Sequence, residues 1–298
     1  MTCGPPGELQ VWTRDSGRGR APRPGASRID REVSDMAHPV RWRAEVYGCT
    51  AEGAYHRLVL EVPEAASRAR PGHFASLAGD HAVVREAVPI ARADASADTL
   101  ELLVADGPRS GPLDLIAPLG TPFPVPDAPV KALLVGHGQH AAPLPALGEQ
   151  LTARGGQLGY LLGAPTAAAL HGVDSARALT QDVLVVTEDG SAGLTGLVSD
   201  PVAQAARAID ASVVYAAGPP DVLALTAAAA ADLGIRCWAL LATDLPCGTG
   251  LCAACVVPVV GADGVSRFAR VCTEGPVFDA TRVRWADIGA VPADLEGA

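Results

Sequence analysis

Four cysteines near the carboxyl end of the chain have the residue type and spacing of a redox metal site. Cys247, Cys252 and Cys255 form a C-x4-C-x2-C pattern, and Cys272 follows after sixteen intervening residues. Three thiolates on one short loop with a fourth from a later segment is the plant-type arrangement that holds a [2Fe–2S] cluster. The pattern therefore predicts a centre that carries one electron at a time.

Two glycines within this loop favour the iron–sulfur interpretation. Gly248 and Gly250 lack a Cβ, so the backbone can fold closely around a cluster and point N–H groups at its sulfurs. A structural zinc site is the alternative, because zinc also takes four cysteines, usually as two separated C-x2-C pairs. The sequence has one such pair, at Cys252 and Cys255. Since the sequence shows no secretory signal, we expect reduced thiols rather than disulfides.

Composition sets the class of protein. A chain of 298 residues, of which 49% are hydrophobic, is long enough for two or three domains with sizeable cores. Its net charge of −10 argues against a nucleic-acid partner, because phosphate binding needs clustered Lys and Arg. No apolar stretch is long enough to span a membrane. We therefore expect a cytoplasmic protein.

Residues 1–126 fall into two predicted parts. Residues 1–36 are rich in Arg, Pro and Gly and are predicted to be a disordered extension, with Met36 as an alternative start to Met1. From 37 to 126 short strands alternate with turns, which predicts a small antiparallel β-barrel. The predicted strands are 40–46, 56–62, 74–78, 83–89, 100–105 and 113–117.

Residues 127–243 have a different predicted order of elements, in which apolar strands alternate with helices. This alternation predicts an α/β domain with a parallel sheet. The predicted strands are 131–136, 157–162, 182–187, 212–216 and 236–242, and the predicted helices are 143–154, 201–209 and 221–233. A cluster-binding segment at 244–285 and a tail at 286–298 complete the predicted fold class, β-barrel plus α/β with a carboxyl-terminal cysteine loop.

The order of barrel, α/β domain and cysteine loop resembles one known family. Residues 247–255, CGTGLCAAC, and 271–278, VCTEGPVF, are similar to the electron-transfer subunits of class 1B dihydroorotate dehydrogenases, within the ferredoxin–NADP reductase superfamily. The resemblance extends over about residues 40–285. It implies a flavin-type barrel, a nucleotide-type α/β domain and a [2Fe–2S] segment.

The resemblance also implies a separate role for each part of the chain. The barrel would hold FAD, the α/β domain would receive NAD(P)H, and the cluster would pass electrons to a separate flavoprotein dehydrogenase subunit of pyrimidine biosynthesis. A flavin fits between the two because it exchanges either one or two electrons. The chain would thus be an oxidoreductase component of a hetero-oligomer rather than a stand-alone enzyme, with no catalytic residue of its own assigned.

The flavin motif of that family is altered in this chain. The family has an Arg followed three positions later by Ser or Thr, whereas Glu86 and Pro89 stand at the matching positions. A carboxylate repels phosphate, and proline has neither a hydroxyl nor an N–H. Arg85, Arg109 and Ser110 remain as candidate ligands of the flavin phosphates. The family's phosphate-facing helix, which begins with Gly-Thr, is expected to be truncated or missing at 105–112.

The nucleotide-binding turn is altered as well. Its candidate residues are Gly136, Gly138, Gly218 and Pro219. His140 and Ala141 stand where glycines would let the backbone approach a phosphate. These changes favour an alternative function, in which the chain keeps only the [2Fe–2S] cluster and acts as a ferredoxin-like relay or an interaction subunit.

Two further expectations concern packing. Leu251, Ala253 and Ala254, together with residues 276–278, are predicted to form an apolar docking edge beside the cluster. Cys49 and Cys237 lie in strand-like sequence and are predicted to be buried apolar side chains.

Overall fold

The computed structural model describes residues 39–78, 85–105 and 111–295. Three predicted features lie wholly or partly outside these ranges. They are the extension at 1–36, the first two residues of the strand predicted at 83–89, and most of 105–112, including Arg109 and Ser110. No helix within the described part of the chain combines the length and the apolar character needed to cross a membrane.

Seven strands form an antiparallel sheet in the amino-terminal half of the described chain. They are β1 Val40–Ala44, β2 Val46–Glu52, β3 Tyr55–Glu61, β4 Phe74–Ala78, β5 Glu86–Asp94, β6 Thr99–Val104 and β7 Leu113–Leu119. Their order is β1-β7-β4-β5-β6-β3-β2. Alternate side chains such as Leu58 and Leu60 are fully buried, because successive residues of a strand point to opposite faces. The predicted antiparallel, barrel-type sheet is confirmed.

Two details of this sheet differ from the prediction. The single strand predicted at 40–46 is broken at Glu45, because β1 pairs with β7 whereas β2 pairs with β3 at the opposite edge. A short helix, α1 (Pro63–Arg68), was not predicted. Its six residues are too few for a helical period to show in the sequence, although Pro63 stands at the first turn, where proline is tolerated.

A second sheet has the parallel order β11-β10-β9-β8-β12-β13, with β16 added antiparallel to β13. Its strands are β8 Lys131–His137, β9 Gln157–Ala164, β10 Val183–Thr187, β11 Leu194–Thr195, β12 Val213–Gly218, β13 Arg236–Leu241 and β16 Val277–Asp279. The helices are α2 Leu144–Ala153, α3 Val173–Leu179, α4 Val202–Ala208 and α5 Pro220–Asp232. The α/β prediction is confirmed, while α3, β11 and β16 were missed.

The strand order of the parallel sheet reverses between β8 and β12. Strands β9, β10 and β11 follow on one side of β8, whereas β12 and β13 lie on the other. In open α/β sheets, ligands bind at the carboxyl ends of the strands at such a switch point. The turn after β8 and the end of β12 therefore border the crevice in which a dinucleotide would be expected.

The cysteine segment is tied to both sheets. After a loop at 242–255, the hairpin of β14 (Val256–Val260) and β15 (Ser266–Arg270) leads through Cys272 to β16 in the parallel sheet. The backbone N–H of Thr121, which follows β7, donates to the carbonyl oxygen of Gly275 over 2.6 Å. The cysteine segment is thus anchored at several points along its length.

Direct contacts also join the two sheets. The hydroxyl of Tyr55 donates to the carbonyl oxygen of Ala169 over 3.0 Å. The N–H of Ala54 donates to the carbonyl oxygen of Ala168 over 2.7 Å. Arg92 of β5 forms a bidentate ion pair with Glu149 of α2, with a shortest distance of 2.6 Å. The segment after β9 and helix α2 are therefore held against the antiparallel sheet.

Candidate cluster site and nucleotide crevice

The four predicted cysteines come together as two pairs of thiols. The Sγ atoms of Cys247 and Cys252 are 3.3 Å apart, and those of Cys255 and Cys272 are also 3.3 Å apart. All four are free thiols. The first pair belongs to the loop alone, whereas the second joins the loop to the residue that follows β15.

This pairing fits a binuclear cluster. In a [2Fe–2S] cluster, four cysteines serve two irons, so each iron takes two thiolates. A single zinc ion instead takes four ligands around one point. The observed two-by-two arrangement of the sulfurs matches the iron–sulfur assignment.

The loop reaches this geometry through left-handed backbone. Gly248 and Gly250 have φ of +66° and +84°, and Ala253 has φ of +52°. A Cβ at Gly250 would lie 2.8 Å from Cγ2 of Thr273, so this position excludes a side chain on steric grounds too. The two glycines named from the sequence are therefore required by the close folding of the loop.

The loop also stabilises negative charge on sulfur. Burial alone would raise the pKa of Cys247, but hydrogen bonds from the N–H groups of Cys252 and Thr249 outweigh it and lower the pKa to about 6. The Thr249 N–H lies 3.5 Å from the Cys247 Sγ. By contrast, burial and the hydrogen bond with Cys255 raise the pKa of Cys272 to about 12. Hydrogen bonds that favour a thiolate also favour a metal–sulfur bond at Cys247.

The two thiol pairs differ in exposure. Cys252 is exposed and Cys247 is half-buried, whereas Cys255 and Cys272 are buried. Leu251, next to Cys252, is 87% exposed. Ala253 and Ala254 are exposed too, as the predicted docking edge requires. The prediction that residues 276–278 extend this edge is wrong, because Pro276 and Val277 are buried where β16 joins the parallel sheet.

Cys49 and Cys237, which were both predicted to be buried, differ in exposure. Cys237 is buried in β13, and burial raises the pKa of its thiol to about 12. Cys49 is exposed, so that prediction is wrong. It lies on β2, the edge strand of the antiparallel sheet, where one face of the strand meets solvent.

The antiparallel sheet supports the cluster loop from beneath. A Cβ at Gly248 would lie 3.4 Å from Phe74 Cε2 and from Ser76 Cβ, so this glycine sits directly on β4. On the other side of the loop, Arg270 donates from Nη1 to the carbonyl oxygen of Gly250 over 2.9 Å. No local sequence pattern marks Ser76, a buried serine within an apolar strand, as a residue next to the loop.

Arg85, the candidate flavin ligand, is engaged within the protein. Its Nε donates to the Ser76 hydroxyl over 2.8 Å, and its Nη2 donates to the carbonyl oxygens of Ser76 and Asp114 over 2.8 and 2.9 Å. Its Nη1 is 3.3 Å from the Asp114 carboxylate. Arg85 would reach a flavin phosphate only by giving up these contacts. Pro89 lies opposite Phe74 in the β4–β5 pairing.

The switch point brings most of the predicted nucleotide residues together. Gly136 ends the buried part of β8, Gly138 begins the following turn with φ of +54°, and Gly218 ends β12. Pro219 is the residue before α5. The three glycines thus lie at the ends of the neighbouring strands β8 and β12, and their role in binding a nucleotide stays a prediction.

Side chains occupy part of this crevice. Nε2 of His137 is 3.3 Å from Oε1 of Glu188, which follows β10. Burial lowers the pKa of His140 to about 4, so its ring is neutral at neutral pH and offers no charge to a phosphate. The N–H of Gln139 is hydrogen-bonded to the Tyr55 hydroxyl, a contact between the two sheets that no local sequence pattern predicts.

Comparison with known proteins agrees with this architecture. The family described as iron-sulfur cluster binding domain of dihydroorotate dehydrogenase B matches residues 243–284. The electron transfer subunit of dihydroorotate dehydrogenase B (NAD(+)) from Bacillus caldolyticus is 36% identical over 183 residues, covering 61% of this chain and 68% of the relative. The subunit from Listeria monocytogenes serovar 1/2a is 31% identical over 229 residues, covering 72% and 87%.

Solved structures share the fold. The NADH-dependent reduced ferredoxin-NADP oxidoreductase aligns with a TM-score of 0.72 at 24% identity, covering 83% of this chain and 91% of that chain. A ferredoxin reductase of carbazole 1,9a-dioxygenase aligns with a TM-score of 0.52 at 20% identity, covering 66% and 67%. With the two thiol pairs and the relatives above, the chain belongs to the family of electron transfer subunits of dihydroorotate dehydrogenase B.

Proposed function

We propose that this chain is an electron-transfer subunit that uses a [2Fe–2S] cluster to exchange electrons with a partner flavoprotein, the catalytic subunit of a dihydroorotate dehydrogenase. The observation that carries the proposal is the two-by-two pairing of Cys247 with Cys252 and of Cys255 with Cys272 at 3.3 Å. When bound, such a cluster supplies one-electron transfer. A cytoplasmic location is part of the proposal, because free thiols persist in a reducing compartment.

The loop residues have separate roles in this proposal. The buried thiols of Cys255 and Cys272 fix the cluster to the body of the protein. Cys252 and Leu251 present the other side to solvent, where a partner can approach. A contiguous exposed apolar patch, here formed by Leu251, Ala253 and Ala254, is typical of a protein interface. Electron exchange with another protein therefore takes place at the exposed face of the loop.

The proposed electron source is NAD(P)H through FAD. The fold is that of flavin-dependent reductases, and the named relatives are NAD(+)-type dihydroorotate dehydrogenase B subunits. The crevice between β8 and β12 has the position of a dinucleotide site. A bound flavin supplies the conversion between hydride and single-electron transfer. In this chain, Gly136, Gly138 and Gly218 are the residues at the ends of β8 and β12 that would lie next to the nucleotide.

A second candidate function is a ferredoxin-like relay that lacks flavin. The arrangement of Arg85 favours it, because the guanidinium group is already committed to Ser76 and Asp114. Pro89 offers no hydroxyl in place of the family's Ser or Thr. The neutral ring of His140, in the turn after β8, also favours this candidate, because it offers no charge to a phosphate.

Composition of the purified protein separates these candidates. The chain is expressed with its dihydroorotate dehydrogenase partner, purified anaerobically, and assayed for iron, acid-labile sulfide and released flavin. Two irons and two sulfides with one FAD support the first candidate, and a cluster without flavin supports the second. Reduction of the cluster by dihydroorotate, seen as bleaching of visible absorbance, tests the partner. Stoichiometric zinc without sulfide contradicts both candidates.

A further inference from the structure

Ser76 lies between the cluster loop and the half-buried side chain of Arg85. Its side chain is 1% exposed, and its hydroxyl oxygen would lie 3.5 Å from a Cβ at Gly248. The hydroxyl accepts a hydrogen bond from Nε of Arg85 over 2.8 Å. Because the serine is the acceptor in that bond, its own proton is not used there. A hydroxyl group with an available proton thus faces the loop next to the ligand Cys247.

Arg85 is held rigidly behind this serine. Its hydrogen bonds to two carbonyl oxygens and one hydroxyl fix the position and orientation of the guanidinium plane. Its side chain is 21% exposed, whereas that of Arg41, on the other side of Asp114, is 73% exposed. The charge on Arg85 is therefore screened less by solvent than the charge on Arg41.

Arg85, Arg41 and Asp114 form a trio of charged side chains. Arg85 and Arg41 both contact the carboxylate of Asp114. The hydrogen bond from Arg41, followed by the charges of both arginines, holds the pKa of Asp114 below its usual range, so this group stays ionised. Two guanidinium groups against one carboxylate leave one net positive charge within the trio. Of the two arginines, Arg85 is the half-buried one, and it is the one that contacts Ser76 next to the cluster loop.

We propose that Arg85 is a positioning residue of the electron-transfer site, which orients Ser76 against the cluster loop and raises the reduction potential of the cluster. A [2Fe–2S] cluster gains one negative charge on reduction, and its potential depends on nearby charge and on hydrogen bonds to sulfur. A fixed cation and an oriented hydroxyl both stabilise the reduced form. The inference rests on the proposed cluster and assigns Arg85 a function other than binding a flavin phosphate.

The test is a redox titration of the cluster in the intact chain, followed by visible absorbance under anaerobic conditions. Arg85→Gln removes the charge and is expected to lower the equilibrium constant for reduction about tenfold, which is about 59 mV for a one-electron couple. Arg85→Lys keeps the charge and is expected to retain most of the potential. Arg41→Gln is the matched control, because it removes a charge from Asp114 without touching Ser76.

Iron and sulfide are measured in every variant, so loss of the proposed cluster is distinguished from a change in its potential. Equal midpoint potentials in wild type, Arg85→Gln and Arg41→Gln would overturn the inference. Ser76→Ala covers the case in which Arg85→Gln does not assemble a cluster, and it is expected to lower the equilibrium constant severalfold. If Ser76→Ala then has the wild-type potential, the hydroxyl that Arg85 orients does not act on the cluster and the inference is wrong.

Discussion

Nε2 of His137 lies 3.3 Å from Oε1 of Glu188, and this contact joins the carboxyl ends of β8 and β10 across the end of β9. On the β12 side, a Cβ at Gly218 would lie 3.3 Å from Cβ of His137. His137 therefore fills space at the switch point, in a turn where dinucleotide-binding folds use glycine so that backbone can approach a phosphate.

Replacing His137 with glycine is expected to tighten NAD(P)H binding. A bound nucleotide would no longer have to displace a hydrogen bond worth about 1 kcal/mol, which corresponds to a gain of about fivefold. Fluorescence titration with NADH measures the affinity. Glu188→Ala breaks the same contact and is expected to act in the same direction. A loss of affinity in Glu188→Ala would instead indicate that this carboxylate contacts the nucleotide.

Replacing Gly250 with alanine is expected to destabilise the cluster loop. Alanine in a left-handed conformation costs about 1–2 kcal/mol, and here its Cβ would also lie 2.8 Å from the Thr273 methyl group. Gly264 is the matched control, because it has φ of +82° and no atom within 4 Å of an added Cβ. The half-life of visible cluster absorbance at 37 °C is the measurement. Equal half-lives in the two variants would show that the Thr273 contact is easily relieved.

Replacing Cys255 with serine is expected to prevent cluster assembly. An alkoxide is a poor ligand for iron compared with a thiolate, and no further cysteine lies within the loop. Cys49→Ser is the control, since Cys49 is exposed on β2 outside the cysteine segment. Iron and sulfide contents should fall to background in the first variant and stay unchanged in the second. A Cys255→Ser protein with a full complement of both would contradict the ligand assignment.

Replacing Leu251 with glutamate is expected to slow electron exchange with the partner while leaving the cluster spectrum unchanged. Leu251 is 87% exposed, so a charge there is tolerated in the isolated chain but would have to be desolvated in an interface. Leu225→Glu, on α5 and 52% exposed, is the control for added charge. Stopped-flow reduction by dihydroorotate in the presence of the partner measures the rate. A wild-type rate for Leu251→Glu would place the docking surface elsewhere.

Acid is expected to destabilise the fold through His73. Burial, with a smaller effect from Arg70, lowers the pKa of His73 to about 4. Because the unfolded chain binds this proton with a pKa of about 6.5, stability falls as the pH drops from about 6.5 to about 4, by about 2 kcal/mol at pH 5. Urea unfolding of wild type and His73→Gln at pH 7 and pH 5 measures it. The variant should lose less stability, and an equal loss would show that other groups dominate.

The sequence was sufficient for the parts of this protein that depend on local pattern. The cysteine spacing identified the four thiols, and the change from short strands to alternating strands and helices located the two sheets. Features made by distant segments could not be predicted in this way. The contacts of Arg85 with Asp114 join β7 to a residue next to β5, and no spacing rule reports them.

The errors have the same origin. Residues 276–278 were expected to face a partner because they are apolar and close to Cys272, but Pro276 and Val277 are buried where β16 joins the edge of the parallel sheet. Cys49 was expected to be buried because cysteine in a strand usually is, but β2 is an edge strand with one open face. Apolar character indicates burial, whereas the covering element depends on the tertiary fold.

The attachment of the cysteine segment determines how electrons can leave this protein. Strand β16 is paired with β13, the Arg284 N–H donates to the Pro258 carbonyl oxygen over 2.9 Å, and Thr121 forms a bridge with Pro276. A ferredoxin module on a flexible tether can swing between donor and acceptor, but a module fastened at these points cannot. Its redox partner therefore has to approach a fixed position on the protein surface, so electron transfer depends on how that partner docks and not on a movement of the cysteine segment.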